Sequence, residues 1–301
     1  MKRLVTTNGK PFEWVRDEPT AEDLRHIQKE GKETPSIYDA LDLRGQMIDD
    51  LRAGKAVLKT MRGPFAKVLA VVYPETKIPW KTIGKIFAAF GSPKPAGSLW
   101  RVVWFAHPKK REFPTSTSFE KTTNITNEHQ PMKGTATTVA VSPPMTGTSA
   151  NAVSSEHING GYAYACAPET IVIYREEEME RVLIHELLHA ACTDDMKKPE
   201  WLREVLTETW AELFLVAILG NGSLTKAKRL WKIQAQWIAN QQHVLENEYG
   251  VLTPDSFPWR YTVGRAVALQ DLGITLPRPS SQPRIDLANS LRFTSPALLL
   301  C

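Results

Sequence analysis

The chain has 301 residues, of which 42% are apolar and 23% charged, a composition that excludes collagen-like and largely disordered proteins. Its 37 basic and 33 acidic residues leave a net charge of +4, which is too small to indicate a nucleic-acid-binding protein. No apolar run reaches the roughly 18 residues that span a membrane, and the basic residues 1–10 lack the apolar stretch of a classical signal peptide. These features predict a cytoplasmic or internally packaged protein that binds neither nucleic acid nor membrane.

Residues 1–98 are predicted to form a mostly helical N-terminal region, because their apolar residues recur at helical spacing. The predicted helices cover residues 21–29, 36–61 and 80–90. Gly91 is expected to end the last of them, and a linker rich in Pro and Gly follows. The apolar run 99–106 is the first predicted strand.

Residues 112–150 are rich in Thr, Ser, Pro and Gly, which predicts a long loop: either a surface insertion or a flap over a cleft. Asn159 and the two glycines after it indicate a β-hairpin, with strands over 162–166 and 170–174. Further helices are predicted around residues 179–191 and over 199–219, 225–249 and 259–272. The Pro-rich residues 275–301 are expected to form an irregular arm.

The decisive motif is His-Glu-x-x-His, formed by His185, Glu186 and His189. Helix positions i and i+4 share one face, so both imidazoles can bind one metal ion. Glu186 lies about 100° further round the helix, beside the metal, where it can hold a zinc-bound water. The surrounding helix is apolar, and burying such polar groups costs free energy unless they are paired or bind a metal. The alternative is a helix whose histidines only bond to neighbouring backbone or carboxylates.

A catalytic zinc ion commonly has three protein ligands and a water, and three residues compete for the third position. Glu208, separated from His189 by eighteen residues, is the predicted ligand, while Glu204 and Asp195 remain open. Asp195 follows the motif closely, but Cys192 stands where a glycine would turn the chain back toward the metal.

Glu204, Glu208 and Glu212 follow one another at intervals of four residues on one helix face. Such a row can be a solvated stripe, but this helix is very apolar, so part of the row is predicted to face a polar centre. Glu212 could then accept a hydrogen bond from a ligand histidine and fix its tautomer.

The three cysteines, Cys166, Cys192 and Cys301, are few and far apart, which makes a disulfide framework unlikely and offers no Cys-x-x-Cys metal pair. Cys192 follows the ligand histidine by three residues. It is predicted to be packed rather than to bind the metal.

The motif with Glu208, Ala211 and Glu212 resembles the gluzincin zinc metallopeptidases, the thermolysin-like and aminopeptidase-like group. Asn151-Ala152 before a hairpin is similar to the edge strand along which thermolysin-like enzymes bind extended peptides. A looser resemblance, to uncharacterised zincins of large DNA viruses, spans residues 157–162, 171–175, 185–189 and 208–211. Together these resemblances cover about residues 100–215.

The resemblance implies an α+β zincin-like fold with a small twisted mixed sheet and two zinc-bearing helices. The helical N-terminal lobe predicted from periodicity would precede it, and a helical C-terminal part would follow. Residues 99–274 would be the catalytic domain. The implied activity is peptide hydrolysis with one zinc ion per chain and Glu186 as general base and then general acid. A further donor usually stabilises the oxyanion. Tyr261 is favoured for that role, with three other candidates: Arg260, Arg265 and His243.

Two rival functions remain at this point. One is a structural or virion-associated zincin that keeps the metal site but cleaves little or nothing. It is suggested by the large regions outside the resemblance, and it would make a virion or other protein assembly the partner in place of a polypeptide substrate. The other is an interaction protein without a metal. The expected location is cytoplasmic or virion-packaged.

Overall fold

The computed structural model describes residues 12–33, 38–94, 97–114, 152–280 and 290–298. Within these ranges the protein has an α+β fold built on one six-stranded mixed sheet, in the order β1-β2-β3-β4-β6-β5. The strands are β1 (Val15–Arg16), β2 (Val57–Arg62), β3 (Ala66–Val72), β4 (Trp100–Phe105), β5 (Gly161–Ala163) and β6 (Ile171–Ile173).

Nine α-helices surround this sheet in the described residues, with a π-helical turn at Lys29–Glu33 and a 3-10 turn at Pro296–Leu298. The helices are α1 (Ala21–Gln28), α2 (Leu43–Arg52), α3 (Trp80–Phe90), α4 (Ser155–Ile158), α5 (Met179–Ala190), α6 (Glu200–Gly220), α7 (Leu224–Asn247), α8 (Phe257–Tyr261) and α9 (Val263–Asp271). Within the described ranges, no helix combines the length and apolar character needed to cross a membrane.

Strand β3 shows why the sheet is covered on both faces. All seven of its residues are buried, and alternate side chains point to opposite faces. Val68 and Ala70 pack in the cluster formed with α3, α5 and α6, whereas Leu69 and Val71 pack in the cluster formed with α1 and α2. Strand β3 is parallel to β4, and the crossover between them contains α3.

The prediction of a mostly helical region before residue 98 is wrong, because β1, β2 and β3 all lie there. The helix predicted over 36–61 is confined to α2; the chain turns at Gly54, with a φ of 72°, before entering β2. A strand buried on both faces carries a continuous apolar run, and periodicity alone does not distinguish such a run from a buried helix.

The other predicted elements correspond well to the structure. The helix ending at Gly91 is α3, the first predicted strand is β4, and the predicted hairpin is the antiparallel pair of β5 and β6. The last predicted helix is divided at Thr262 into α8 and α9. Most of the predicted loop over 112–150 lies outside the described residues. The predicted boundary at residue 98 falls between the paired strands β3 and β4.

The prediction about the cysteines is also wrong, because Cys166 and Cys192 form a disulfide. Their Cα atoms are 4.6 Å apart although their positions differ by 26 in the sequence. The turn after β5 lies against the end of α5, where the backbone N–H groups of both cysteines donate to the carbonyl of His189. Cys192 is exposed rather than packed.

Candidate metal centre

Helix α5 carries the His-Glu-x-x-His motif and is buried along most of its length. His185 and His189 lie one turn apart on the same face, and their Nε2 atoms are 3.0 Å apart. Both rings therefore direct the same nitrogen toward one point, as the sequence predicts for two ligands of one ion.

Helix α6 adds a carboxylate to this pair. Glu204 Oε2 lies 3.5 Å from His185 Nε2, and Glu204 Oε1 lies 3.6 Å from His189 Nε2. Zinc bonds of ~2.0–2.1 Å at tetrahedral angles separate ligand atoms by about 3.3 Å, close to these three distances. The group His185, His189 and Glu204, whose ligand atoms all lie within 4.8 Å of one another, could hold a metal ion.

The third-ligand prediction needs correction at Glu208. Its Oε1 atom lies 3.1 Å from Nδ1 of His185, on the side of the ring opposite to the metal group. The geometry at Nδ1 does not meet that of a hydrogen bond, and the contact is an ion pair when the imidazole is protonated. Its other oxygen accepts a hydrogen bond from Arg181. Glu208 therefore orients His185 from behind, and Glu204, one helical turn earlier, becomes the candidate third ligand.

His189 is oriented in the same way by an aspartate that sequence reasoning missed. Asp194 Oδ2 lies 2.7 Å from His189 Nδ1, and Asp194 Oδ1 accepts a hydrogen bond from Thr207. Its neighbour Asp195, the third candidate ligand, is exposed and outside the metal group. Carboxylates on Nδ1 of both histidines leave both Nε2 atoms to face the centre, the usual arrangement around metal-bound histidines. The sequence feature that could have indicated this contact is the turn Thr193-Asp194, which places an aspartate directly after the motif.

The prediction that Glu212 bonds a ligand histidine is wrong. Glu212 is fully buried, and its Oε2 accepts hydrogen bonds from Arg181 Nε at 3.3 Å and from Arg265 Nη1 at 3.0 Å. Arg181 thus bridges Glu208 and Glu212 beneath the metal group. This bridge is difficult to predict from the sequence, because an arginine one turn before His185 would ordinarily be assigned to the helix surface.

Residues 290–298 of the C-terminal arm complete the buried network. The ring of Phe293 packs against the guanidinium groups of Arg111, Arg181 and Arg265, with centroid distances of 4.7–5.5 Å. The backbone N–H of Phe293 donates to the buried carboxylate of Glu178, and its carbonyl accepts from Arg265. This part of the predicted arm therefore packs against the buried charged residues that support the metal group.

Arg181→Met is expected to lower the free energy of unfolding by about 3–5 kcal/mol, because it leaves the buried carboxylate of Glu208 without its arginine and that of Glu212 with Arg265 alone. Chemical denaturation of the variant measures this loss. Arg229→Met, at an exposed position on α7, is the control and should change stability by less than about 0.5 kcal/mol. An Arg181 variant as stable as the control would contradict the role given to the bridge.

Glu186 lies on α5 between the two candidate ligand histidines and is 5% exposed. Burial raises the pKa of its carboxyl to about 7, while positive charge on His185 and His189 acts in the opposite direction. A pKa near neutrality suits a group that accepts and returns protons. Gly161 on β5 gives this carboxyl room, because a Cβ there would lie 3.1 Å from Glu186 Oε1 and only 2.8 Å from the carbonyl oxygen of Val172.

The charges of the metal group compensate one another. Burial alone would raise the pKa of Glu204, but its hydrogen bonds and charge interactions with His185 and His189 hold it well below the usual range. Burial would likewise lower the pKa of His189, yet Asp194 and Glu204 raise it to about 9. The carboxylates are therefore arranged to stabilise positive charge where the two imidazoles meet, whether that charge is carried by protons or by a metal ion.

The metal group opens into a cleft. Its walls include strand β5, Glu186, Glu200 and the tyrosines Tyr38 and Tyr261. Burial and the nearby carboxylates of Glu204 and Glu208 raise the pKa of Tyr261 well above its usual value, so its hydroxyl stays protonated. The sequence analysis did not identify Tyr38. Burial and the nearby charge of Glu200 raise the pKa of its hydroxyl.

The other three donor candidates are not among the residues that line the cleft, and each contacts another side chain. Arg265 pairs with Glu212, the exposed ring of His243 contacts Asn247, and Arg260 lies 3.7 Å from Glu200. Tyr261 thus lines the cleft as predicted, while its role stays a prediction. Comparisons with protein-family models, curated proteins and solved structures found no match to this chain.

Proposed function

We propose that the protein is a zinc-dependent peptidase. The observation that carries this proposal is the convergence of His185 Nε2, His189 Nε2 and a Glu204 carboxylate at zinc-ligand spacing, with Glu186 beside them in an open cleft. Two imidazoles and one carboxylate are the protein ligands of several catalytic zinc sites, in which the remaining position is left for water or substrate. Their orientation by Glu208 and Asp194 further supports a metal centre.

The peptide substrate is proposed from the cleft wall. Among the described strands, β5 lies at the edge of the sheet and lines the cleft beside the metal group. An exposed strand edge offers backbone donors and acceptors to an extended polypeptide, which could bind there as an additional strand. The resemblance to gluzincins points to the same substrate class.

The proposed chemistry divides between the metal and the chain. Bound zinc supplies a Lewis acid for the scissile carbonyl and lowers the pKa of a water molecule. Glu186 accepts the proton of that water and then donates it to the departing amine nitrogen. The protonated hydroxyl of Tyr261, which lines the cleft, is proposed to donate a hydrogen bond to the negative charge that develops on the carbonyl oxygen.

The purified full-length chain is expected to contain about one zinc ion per molecule and to cleave an unstructured peptide library in a chelator-sensitive manner. Elemental analysis and mass spectrometry of the products measure the two properties separately. Removal of the metal should abolish cleavage, and added zinc should restore it. Stoichiometric zinc without cleavage would instead support a structural or virion-associated zincin, and protein purified without chelators that contains no metal would contradict both.

A further inference from the structure

The disulfide between Cys166 and Cys192 lies next to a candidate metal ligand and is accessible to solvent. Both cysteines are exposed, and their bond ties the turn after β5 to the turn that follows α5. The backbone N–H groups of both cysteines donate to the carbonyl oxygen of His189, each at 3.1 Å. The bond therefore fixes two chain segments at the residue that supplies one metal-binding nitrogen.

The turn held by this bond also carries the residue that orients His189. Asp194 lies two positions after Cys192, and its Oδ2 atom contacts His189 Nδ1 at 2.7 Å. Asp194 also accepts a hydrogen bond from Thr207 at 3.3 Å, and Thr193 donates to the carbonyl of Leu188 from both its hydroxyl and its backbone N–H. The position of Asp194 thus depends in part on the covalent link at Cys192.

The backbone conformation of the bridge supports this dependence. Cys166 has a φ of 62° and Cys192 a φ of 59°, in the left-handed region that residues with a side chain adopt at a cost in free energy. At Cys192 this conformation belongs to the end of α5, where the N–H groups of Cys192 and Thr193 donate to the carbonyls of His189 and Leu188, and the disulfide adds a covalent constraint to that turn. Once the bond is broken, this constraint is lost, and we expect the turn before Asp194 to open more often.

We propose that Cys166 and Cys192 are a reversible thiol–disulfide modification site that controls how firmly His189 holds the metal. This inference rests on the proposed zinc function. A thiolate of an external dithiol would attack one sulfur, forming a mixed disulfide and releasing the other cysteine as a thiolate. The second thiol of the reagent then displaces the protein sulfur, so that the dithiol becomes a disulfide and the protein gains two electrons and two protons as two cysteine thiols.

Reduction should weaken metal retention without removing a ligand. Loss of a carboxylate from the outer nitrogen of a metal-bound histidine typically costs about 10–100-fold in metal affinity. Reduction loosens Asp194 but does not delete it, so zinc release to a chelator should accelerate by about 3- to 10-fold, below that range. Oxidation would restore the slower rate.

The test uses the zinc-loaded full-length chain, oxidised or reduced with a water-soluble phosphine, because phosphines compete for zinc less than thiols do. Zinc release to a chromogenic chelator gives the rate, and thiol counting under denaturing conditions verifies the redox state. The double variant Cys166→Ser/Cys192→Ser should release zinc at the rate of the reduced protein, and the phosphine should not change that rate. Cys301→Ser, the matched control, should keep the full redox response.

Hydrogen exchange of the amides at 189–195 gives a second reading that needs no metal. Faster release together with faster exchange in this segment after reduction supports the proposal. Equal release rates in both redox states, or three free thiols in the air-oxidised protein, would overturn it. If the protein binds no zinc, the proposed function fails, and exchange at 189–195 that does not respond to reduction then overturns this proposal independently.

Discussion

Glu204→Ala is expected to weaken zinc binding by about 100- to 1,000-fold, the larger of the two losses that the carboxylates of α6 should show. A zinc site contributes about 10–16 kcal/mol, shared among roughly four ligands, so loss of one ligand removes a few kcal/mol. Glu204 places Oε2 3.5 Å from His185 Nε2 and Oε1 3.6 Å from His189 Nε2. Competition with a chelator of known affinity measures the change.

Glu208→Gln is the matched comparison one turn further along the same helix. It preserves side-chain size while weakening the contact to His185 Nδ1, so zinc affinity should fall by about 10- to 100-fold. Glu200→Gln, whose side chain is 53% exposed at the cleft, should leave zinc affinity unchanged. Zinc retention by Glu204→Ala, together with zinc loss from Glu208→Gln, would restore the ligand set predicted from sequence.

The distinction between Glu204 and Glu208 shows how far the sequence can be taken. The spacing of His185 and His189 fixes their common face, because both belong to one helix with a known rise and rotation. The position of α6 against α5 instead depends on the path of residues 191–199 and on the buried Arg181. A shift of one turn, about 5.4 Å along α6, exchanges one glutamate for the other.

The missed strands and the disulfide have a related cause. Strand β2 is recognised by its pairing with β3, and β3 is recognised by its burial on both faces. Neither property can be read from the sequence of a single segment. Cys166 and Cys192 become neighbours only because the β5–β6 hairpin lies against the end of α5. Local signals such as Gly91 after α3 predict element ends, whereas contacts between distant segments require the assembled fold.

Glu186→Gln should lower peptide cleavage by roughly 100- to 10,000-fold while zinc content and stability remain those of the wild type. The carboxyl lies beside the metal group and outside the ligand set, so its loss should not release the ion. An amide of the same size can still hydrogen-bond a water molecule, but it cannot accept the proton.

Single-turnover cleavage of a fluorogenic peptide by zinc-loaded protein measures this effect without interference from slow product release. Glu180→Gln, on the same helix but outside the residues that line the cleft, is the control and should cleave at the wild-type rate. If Glu186→Gln lost its zinc, the residue would belong to the metal ligands rather than to proton transfer. Equal, chelator-sensitive cleavage by both variants and the wild type would mean that another group activates the water, and Tyr38, Tyr261 and Glu200, which line the same cleft, would be the next residues to substitute.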